Sequence, residues 1–394
     1  MRLPRESSFS VRALPAGRVL VLIAMATLLA AADWLPDNPY VDPDHLEFAL
    51  TLALGGSAIA LTLHDRLNAA AIARWTMRAL LVFFAIACSI GMAEPVTRWI
   101  FRDVTTSSDN GGYFTRRWFR SGAVHLNSFG FREREFSAVK PAGTYRIAVV
   151  GDSFTWGNGV REQDRYSNVL QAHLPEHIEV LNFGAAGANT PEHRTLVEHL
   201  LGSVHPDFVL LQWYVNDVED DDSLHRPTFH PLMPVRRLHN WLNDASALYT
   251  VANMRWAEAQ VAFGMTHSYE TYLRDRLGDP NSQDSQLDRG LLLELIALCR
   301  RAGVPVGIVL FPDAAADLGE KYPYGYLHKR VLDICGAQDL TCLDLRSDFA
   351  LVKDPRRLWA NRLDHHPSAL ANEIAAERIL ETYSTQWAES PTAK

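Results

Sequence analysis

The sequence predicts an α/β protein: a parallel β-sheet with helices on both faces, preceded by an N-terminal bundle of two to three transmembrane helices. Three observations carry this. From Tyr145 onward, short β-branched apolar runs alternate with amphipathic stretches. The long uncharged runs crowd into about the first hundred residues, and most acidic residues follow them. Strands buried on both faces of a parallel sheet read as continuous apolar runs, as these do. The 394 residues, 47% hydrophobic and 21% charged, suffice for a large core and exclude wholesale disorder.

The N-terminal elements come first. Three apolar runs, Val19 to Ala32, Phe48 to Leu63 and Ala79 to Ala93, extend at their flanks to expected spans over 19–35, 46–63 and 77–96. Arg2, Arg5, Arg12 and Arg18 precede the first run; Asp33, Asp37, Asp42, Asp44 and Glu47 separate the first from the second; Arg66, Arg74 and Arg78 separate the second from the third. The positive-inside rule then places the N-terminus in the cytoplasm and everything after the third run outside. The expected protein is a multi-pass inner-membrane protein with its larger part in the periplasm or cell exterior. The first run also reads as a signal peptide ending at Ala30-Ala31-Ala32. Cleavage there would leave the C-terminal part outside as well.

Residues 101–142 read as a juxtamembrane linker. Thr105 to Gly112 is a turn-rich spacer, and Asn127 to Glu135 (N-S-F-G-F-R-E-R-E) is an ordered surface segment leading into the domain.

The soluble domain is expected over 143–386. Its strands are Tyr145 to Val150, Ile178 to Phe183, Phe208 to Trp213, Val304 to Phe311 and Leu340 to Leu345. Its helices are Tyr166 to Leu174; Pro191 to Leu201, with Thr190 as N-cap; Gln286 to Ala302, ended by Gly303; Tyr326 to Cys335, ended by Gly336; and one from about Ser368 to Tyr383. An insertion at 218–285, helical near Leu248 to Ala262, reads equally as a substrate lid or as a packing excursion. Residues 387–394 form a tail.

Four blocks carry chemistry. Gly151-Asp152-Ser153 ends the first strand, where a parallel sheet opens its ligand crevice. Asn182 to Asn189, glycine-rich through Gly184 and Gly187, ends the second and can turn bare backbone N–H groups toward a ligand. Tyr214-Val215-Asn216-Asp217 ends the third and can aim an amide into the same crevice. Leu363-Asp364-His365-His366-Pro367 precedes the last helix, and a His beside an Asp is a base with its orienter. Pro367 disfavours helical geometry at His366. In an extended segment His366 and Asp364 share one side and His365 takes the other.

These blocks, in this order, resemble the SGNH (GDSL) hydrolase superfamily over about residues 143–386. With the N-S-F-G-F-R segment and Phe154 to Val160, they look like a membrane-anchored bacterial branch associated with extracellular polysaccharide modification. The resemblance implies a three-layer α/β/α, flavodoxin-like domain with a five-stranded sheet. It makes Ser153 the nucleophile and, through its N–H, one oxyanion donor, with Gly187 (backbone) and Asn216 (side chain) as the others. It makes His366 the base and Asp364 its orienter, with no cofactor and no metal. Two positions depart from the pattern: Leu363 stands where the family usually carries the acid, leaving Asp364 at D-x-H spacing, and Tyr214 stands where a Gly is usual.

The expected activity is that of a serine esterase acting on O-acyl, foremost O-acetyl, groups of a cell-envelope or extracellular glycan through an acyl-enzyme on Ser153. The alternatives are an O-acyltransferase on the same glycan and a catalytically idle scaffold of a polysaccharide export or modification machine. Expected partners are the acylated glycan or another ester substrate, the lipid bilayer, and polysaccharide biosynthesis or export proteins. No Lys/Arg-rich run points to nucleic acid, and the net charge is -8. Cys88, Cys299, Cys335 and Cys342 lack C-x-x-C spacing, which argues against structural zinc. Cys335 and Cys342 flank one αβ turn, and either a disulfide or two buried thiols fits them. The acidic run Asp217 to Asp222 lacks the turn Gly of a calcium loop and reads as a solvated loop.

Overall fold

The computed structural model describes residues 69–107, 112–218 and 229–388. The chain divides into two units, Met1–Val82 and Phe83–Lys394. In the first unit, residues 69–82 are helical, with Trp75, Met77, Leu81 and Val82 exposed. They open helix α1 (Ala69–Ile100). The run expected to span a membrane at 77–96 lies inside α1. Among the described residues no helix is long and apolar enough to cross a membrane. The runs at 19–35 and 46–63 lie outside the described residues, as does most of the acidic run at 217–222.

The second unit is built on five parallel strands: β1 (Tyr145–Gly151), β2 (Ile178–Gly184), β3 (Phe208–Trp213), β4 (Val306–Leu310) and β5 (Cys342–Asp344), in the order β2-β1-β3-β4-β5. Their apolar residues are nearly all buried, as continuous apolar runs require. The chain steps outward from β1 to β2, then back across β1 to β3. Right-handed crossovers therefore put the β1–β2 and β2–β3 helices on opposite faces. The first connection carries α3 (Ser153–Trp156) and α4 (Tyr166–His173); the second carries α5 (Thr190–Ser203). The reversal between β1 and β3 opens a crevice at their carboxyl ends.

After β3 come α6 (Arg236–Ala245), α7 (Ala247–Ala262), α8 (Tyr269–Leu277) and α9 (Gln283–Arg301), then β4, α10 (Gly325–Ala337), β5 and the short α11 (Arg346–Ala350). A two-stranded antiparallel pair, β6 (Trp359–Asn361) with β7 (Asp364–Pro367), precedes the last helix, α12 (Ala369–Ala388). Helix α5 packs with α9 and α4 with α12, completing the outer layers.

Several expectations need correction. Helix α5 is capped by Asn189, not Thr190: Asn189 and Glu192 bond each other's backbone N–H in a reciprocal box. Gly336 lies inside α10 instead of ending it, because the helix runs one residue further. Helix α12 reaches Ala388, and Trp387, placed in the tail by sequence, is fully buried. Of the two readings left open for Cys335 and Cys342, the structure holds the disulfide, with Cα atoms 6.2 Å apart.

The stretch read as a linker belongs to the fold. Helix α2 (Tyr113–Arg120) buries Phe114, Thr115 and Trp118. Thr106 and Ser107, in the expected spacer, are buried at 0% and 1% exposure. The insertion is a packing element on its α6–α7 side: Ala247 clusters with Val104, Phe114 and Leu363. Helix α8 joins the main core through Tyr272, Leu273 and Leu277.

Candidate active site

The site is assembled at the carboxyl ends of β1, β2 and β3 and on β7. Directly after β1, Asp152 caps α3 by accepting the Phe154 N–H at 2.8 Å, and Ser153 becomes the first helical residue. Gln212 on β3 holds this turn: its Oε1 accepts the Asp152 N–H at 3.1 Å and the Thr155 hydroxyl at 2.8 Å. Asn182 on β2 holds it from the other side, donating to the Thr155 carbonyl at 2.6 Å and to Ser167 Oγ at 2.7 Å. The nucleophile turn thus sits in a buried network in which each neighbouring strand contributes one amide.

β7 brings the histidine. His366 Nε2 lies 2.8 Å from Ser153 Oγ, and His366 Nδ1 is hydrogen-bonded to Asp364 Oδ1. The same oxygen accepts the His366 N–H at 3.1 Å. The D-x-H spacing works because β7 is extended, so residues two apart share a side. Asp364 is buried and His365 exposed, with the His365 ring centroid 4.4 Å from that of Trp359. Leu363, at the departing position, is buried among Val104, Phe114 and Ala247 and anchors the turn before the acid.

Electrostatics follow from this pairing. Burial opposes a charged His366, but the Asp364 carboxylate and its hydrogen bond outweigh it and raise the imidazole above its ordinary value. Burial likewise opposes the Asp364 carboxylate, and the His366 charge and hydrogen bonds from His366 and Thr106 hold it below the usual range. Asp152, fully buried near the Asp217 carboxylate, is pushed up to about 6.

The expected oxyanion donors sit on the other strand ends. Gly187 has φ +83°, a left-handed conformation that favours glycine. Asn216 lies in the 3-10 turn Val215–Val218 directly after β3. Among the described residues, neither the Ser153 N–H, the Gly187 N–H nor the Asn216 amide donates a hydrogen bond. These three donors stand just after the ends of β1, β2 and β3. Tyr214 packs on Phe154 with ring centroids 4.2 Å apart, and Phe154 packs edge-on to His366 at 5.3 Å. The bulk at position 214 stands against the residue following the nucleophile.

Sequence reasoning missed three supports. Thr106 donates its hydroxyl to Asp364 Oδ2. Arg132, expected on the surface, is buried and donates to the carbonyls of Gly157 at 2.6 Å and Val160 at 2.8 Å, behind the nucleophile turn. His193 on α5 lies 3.1 Å from Asp217, joining the helix after the Gly187 loop to the residue after Asn216. Each pair is far apart in sequence, and only the run N-S-F-G-F-R hinted at one. Among the described residues no group of His, Cys, Asp and Glu is placed to hold a metal ion.

The model of the GDSL-like lipase/acylhydrolase family matches residues 149–374. Among solved structures, a member of the lipolytic G-D-S-L family from Veillonella parvula is 14% identical, covering 61% of this chain and 99% of that one, with a TM-score of 0.38. A lipolytic G-D-S-L protein of Desulfitobacterium hafniense is 12% identical over 61% and 99%, with a TM-score of 0.35. An acetyl xylan esterase, AlAXEase, is 18% identical over 60% and 98%, with a TM-score of 0.38. A comparison with curated proteins gave no match. The match at 149–374 takes in the strand ends and β7 described above and more than half of the 394 residues, and the chain belongs to the GDSL-like lipase/acylhydrolase family, whose members hydrolyse ester bonds.

Proposed function

We propose that the chain is a serine esterase that removes short O-acyl groups, acetyl foremost, from a cell-envelope or extracellular glycan, with Ser153, His366 and Asp364 as its catalytic residues. The observation that carries this reading is the continuous relay from Ser153 Oγ through both His366 nitrogens to Asp364. His366 takes the Ser153 proton as Oγ attacks the ester carbonyl. Asp364 holds the imidazole in the tautomer that leaves Nε2 free to accept, and stabilises the imidazolium that forms. The oxyanion meets the N–H groups of Ser153 and Gly187 and the amide of Asn216, each worth ~3 kcal/mol in comparable sites. His366 then returns the proton to the leaving alkoxide, and water resolves the acyl-enzyme by the same route.

The Phe154–Tyr214 stack beside the nucleophile supports a short acyl group. The Cys335–Cys342 disulfide supports an oxidising compartment. The alternating charges around the N-terminal apolar runs support a membrane anchor with the catalytic domain outside the cytoplasm.

Fluorophosphonate labelling of the purified chain, with hydrolysis of p-nitrophenyl esters of increasing chain length, tests the reading. Ser153 should be labelled, acetyl should be the best substrate, and Ser153→Ala should abolish both labelling and turnover. An unlabelled Ser153 in a folded protein would favour the scaffold. Acetyl transfer to added glycan exceeding release to water would favour the transferase.

A further inference from the structure

We propose that Thr106 is a positioning residue of the catalytic relay: its buried hydroxyl fixes the second oxygen of Asp364, so that a segment outside the family's matched residues completes the site. This rests on the roles proposed for Ser153, His366 and Asp364. Both contacts from His366 fall on Asp364 Oδ1. Oδ2 receives the Thr106 hydroxyl, and both residues are fully buried. A carboxylate tied at one oxygen can swing about its Cβ–Cγ bond; tied at both, its plane is set, and with it the imidazole's aim at Ser153.

Thr106 is itself held in place. Its carbonyl accepts Asn361 Nδ2 at 3.0 Å, and Asn361 pairs with Asp364 across the β6–β7 ladder. Thr105 donates its hydroxyl to the Gly159 carbonyl at 2.8 Å. Gly159 has φ +78°, and a Cβ there would lie 2.6 Å from Thr106 Oγ1, so only glycine allows the approach. Val104 packs with Leu363, next to the acid. Residues 104–106 therefore touch the acid's strand, its ladder partner and the loop after the nucleophile.

The test uses the full chain with Thr106→Val, Thr106→Ala and Thr106→Ser. Losing one hydrogen bond to a buried carboxylate corresponds to about a 10- to 100-fold loss in kcat. Val and Ala should show that loss with KM little changed, and the acid limb of kcat/KM should move to lower pH as the His366–Asp364 pair loosens. Ser, which keeps the hydroxyl, should restore kcat. Wild-type kcat in a folded Val or Ala variant, a loss carried by KM, or a folded Ser variant as impaired as Val would each overturn the proposal. If Ser153→Ala retained full activity, the underlying reading would fail instead.

Discussion

His365 and His366 are adjacent, and a one-residue choice decides which of them reaches Ser153. The β7 pleat turns His366 to the nucleophile at 2.8 Å and His365 outward onto Trp359. His366→Ala should therefore lower kcat by roughly 10³-fold or more, and His365→Ala by less than ~10-fold, in an ester hydrolysis assay. The reverse order would mean that the segment turns over in solution. A second expectation concerns pH. The base must be neutral to accept the Ser153 proton, and His366 is raised above the ordinary 6.5 because the Asp364 carboxylate outweighs burial. Raising that value extends the protonated, inactive form upward in pH. The acid limb of kcat/KM should accordingly have its midpoint above 6.5. A limb at or below that value would show that the pair is looser than its geometry.

At the scale of elements, the segment Asn127 to Glu135 does more than lead into the sheet. Asn127 Oδ1 accepts the N–H groups of Phe129 and Phe131, each at 3.0 Å, which folds the segment into a turn. The turn presents Arg132 inward, between the rings of Trp118 and Trp156 and onto the carbonyls behind the nucleophile helix. Glu133 accepts the Asn182 N–H at 2.9 Å, tying the same segment to β2. Burial lowers the Arg132 guanidinium to about 10, so it stays charged at neutral pH. Arg132→Ala would remove the guanidinium donors from those carbonyls and leave a void between two indoles. We expect a loss of ~3 kcal/mol in urea unfolding, with a fall in kcat as the turn carrying Ser153 loosens. Unchanged stability would mean that water replaces the guanidinium without cost.

At the scale of the whole molecule, the proposed membrane anchor predicts a topology in which the unit carrying Ser153 faces away from the cytoplasm. Arginines, then carboxylates, then arginines alternate around three apolar runs. Fusions at residue 110 to a phosphatase that works only in the periplasm, and to a reporter that works only in the cytoplasm, should give activity with the first alone. Activity with the second alone would overturn the topology and the envelope glycan as substrate.

The sheet was legible in the sequence, and so were the residues carried at its strand ends. Each strand is a short, mostly apolar run, and Ser153, Gly187, Asn216 and the Asp364–His366 pair each sit within a few residues of an element boundary. Such signals are local, so they survive without coordinates. Even the D-x-H departure was legible, because the period of an extended chain is two. The remaining features depend on contacts between distant segments. The disulfide needed the separation between the end of α10 and β5. The Asn189 cap prevailed over Thr190 because Glu192 bonds back to it. The buried places of Thr106 and Arg132 were hidden because a polar residue in a turn-rich stretch looks solvated until its partner is known. For Thr106 that partner is Asp364, 258 residues away. Burial of a polar group is favourable only where a partner satisfies it, and no local pattern records where that partner will be.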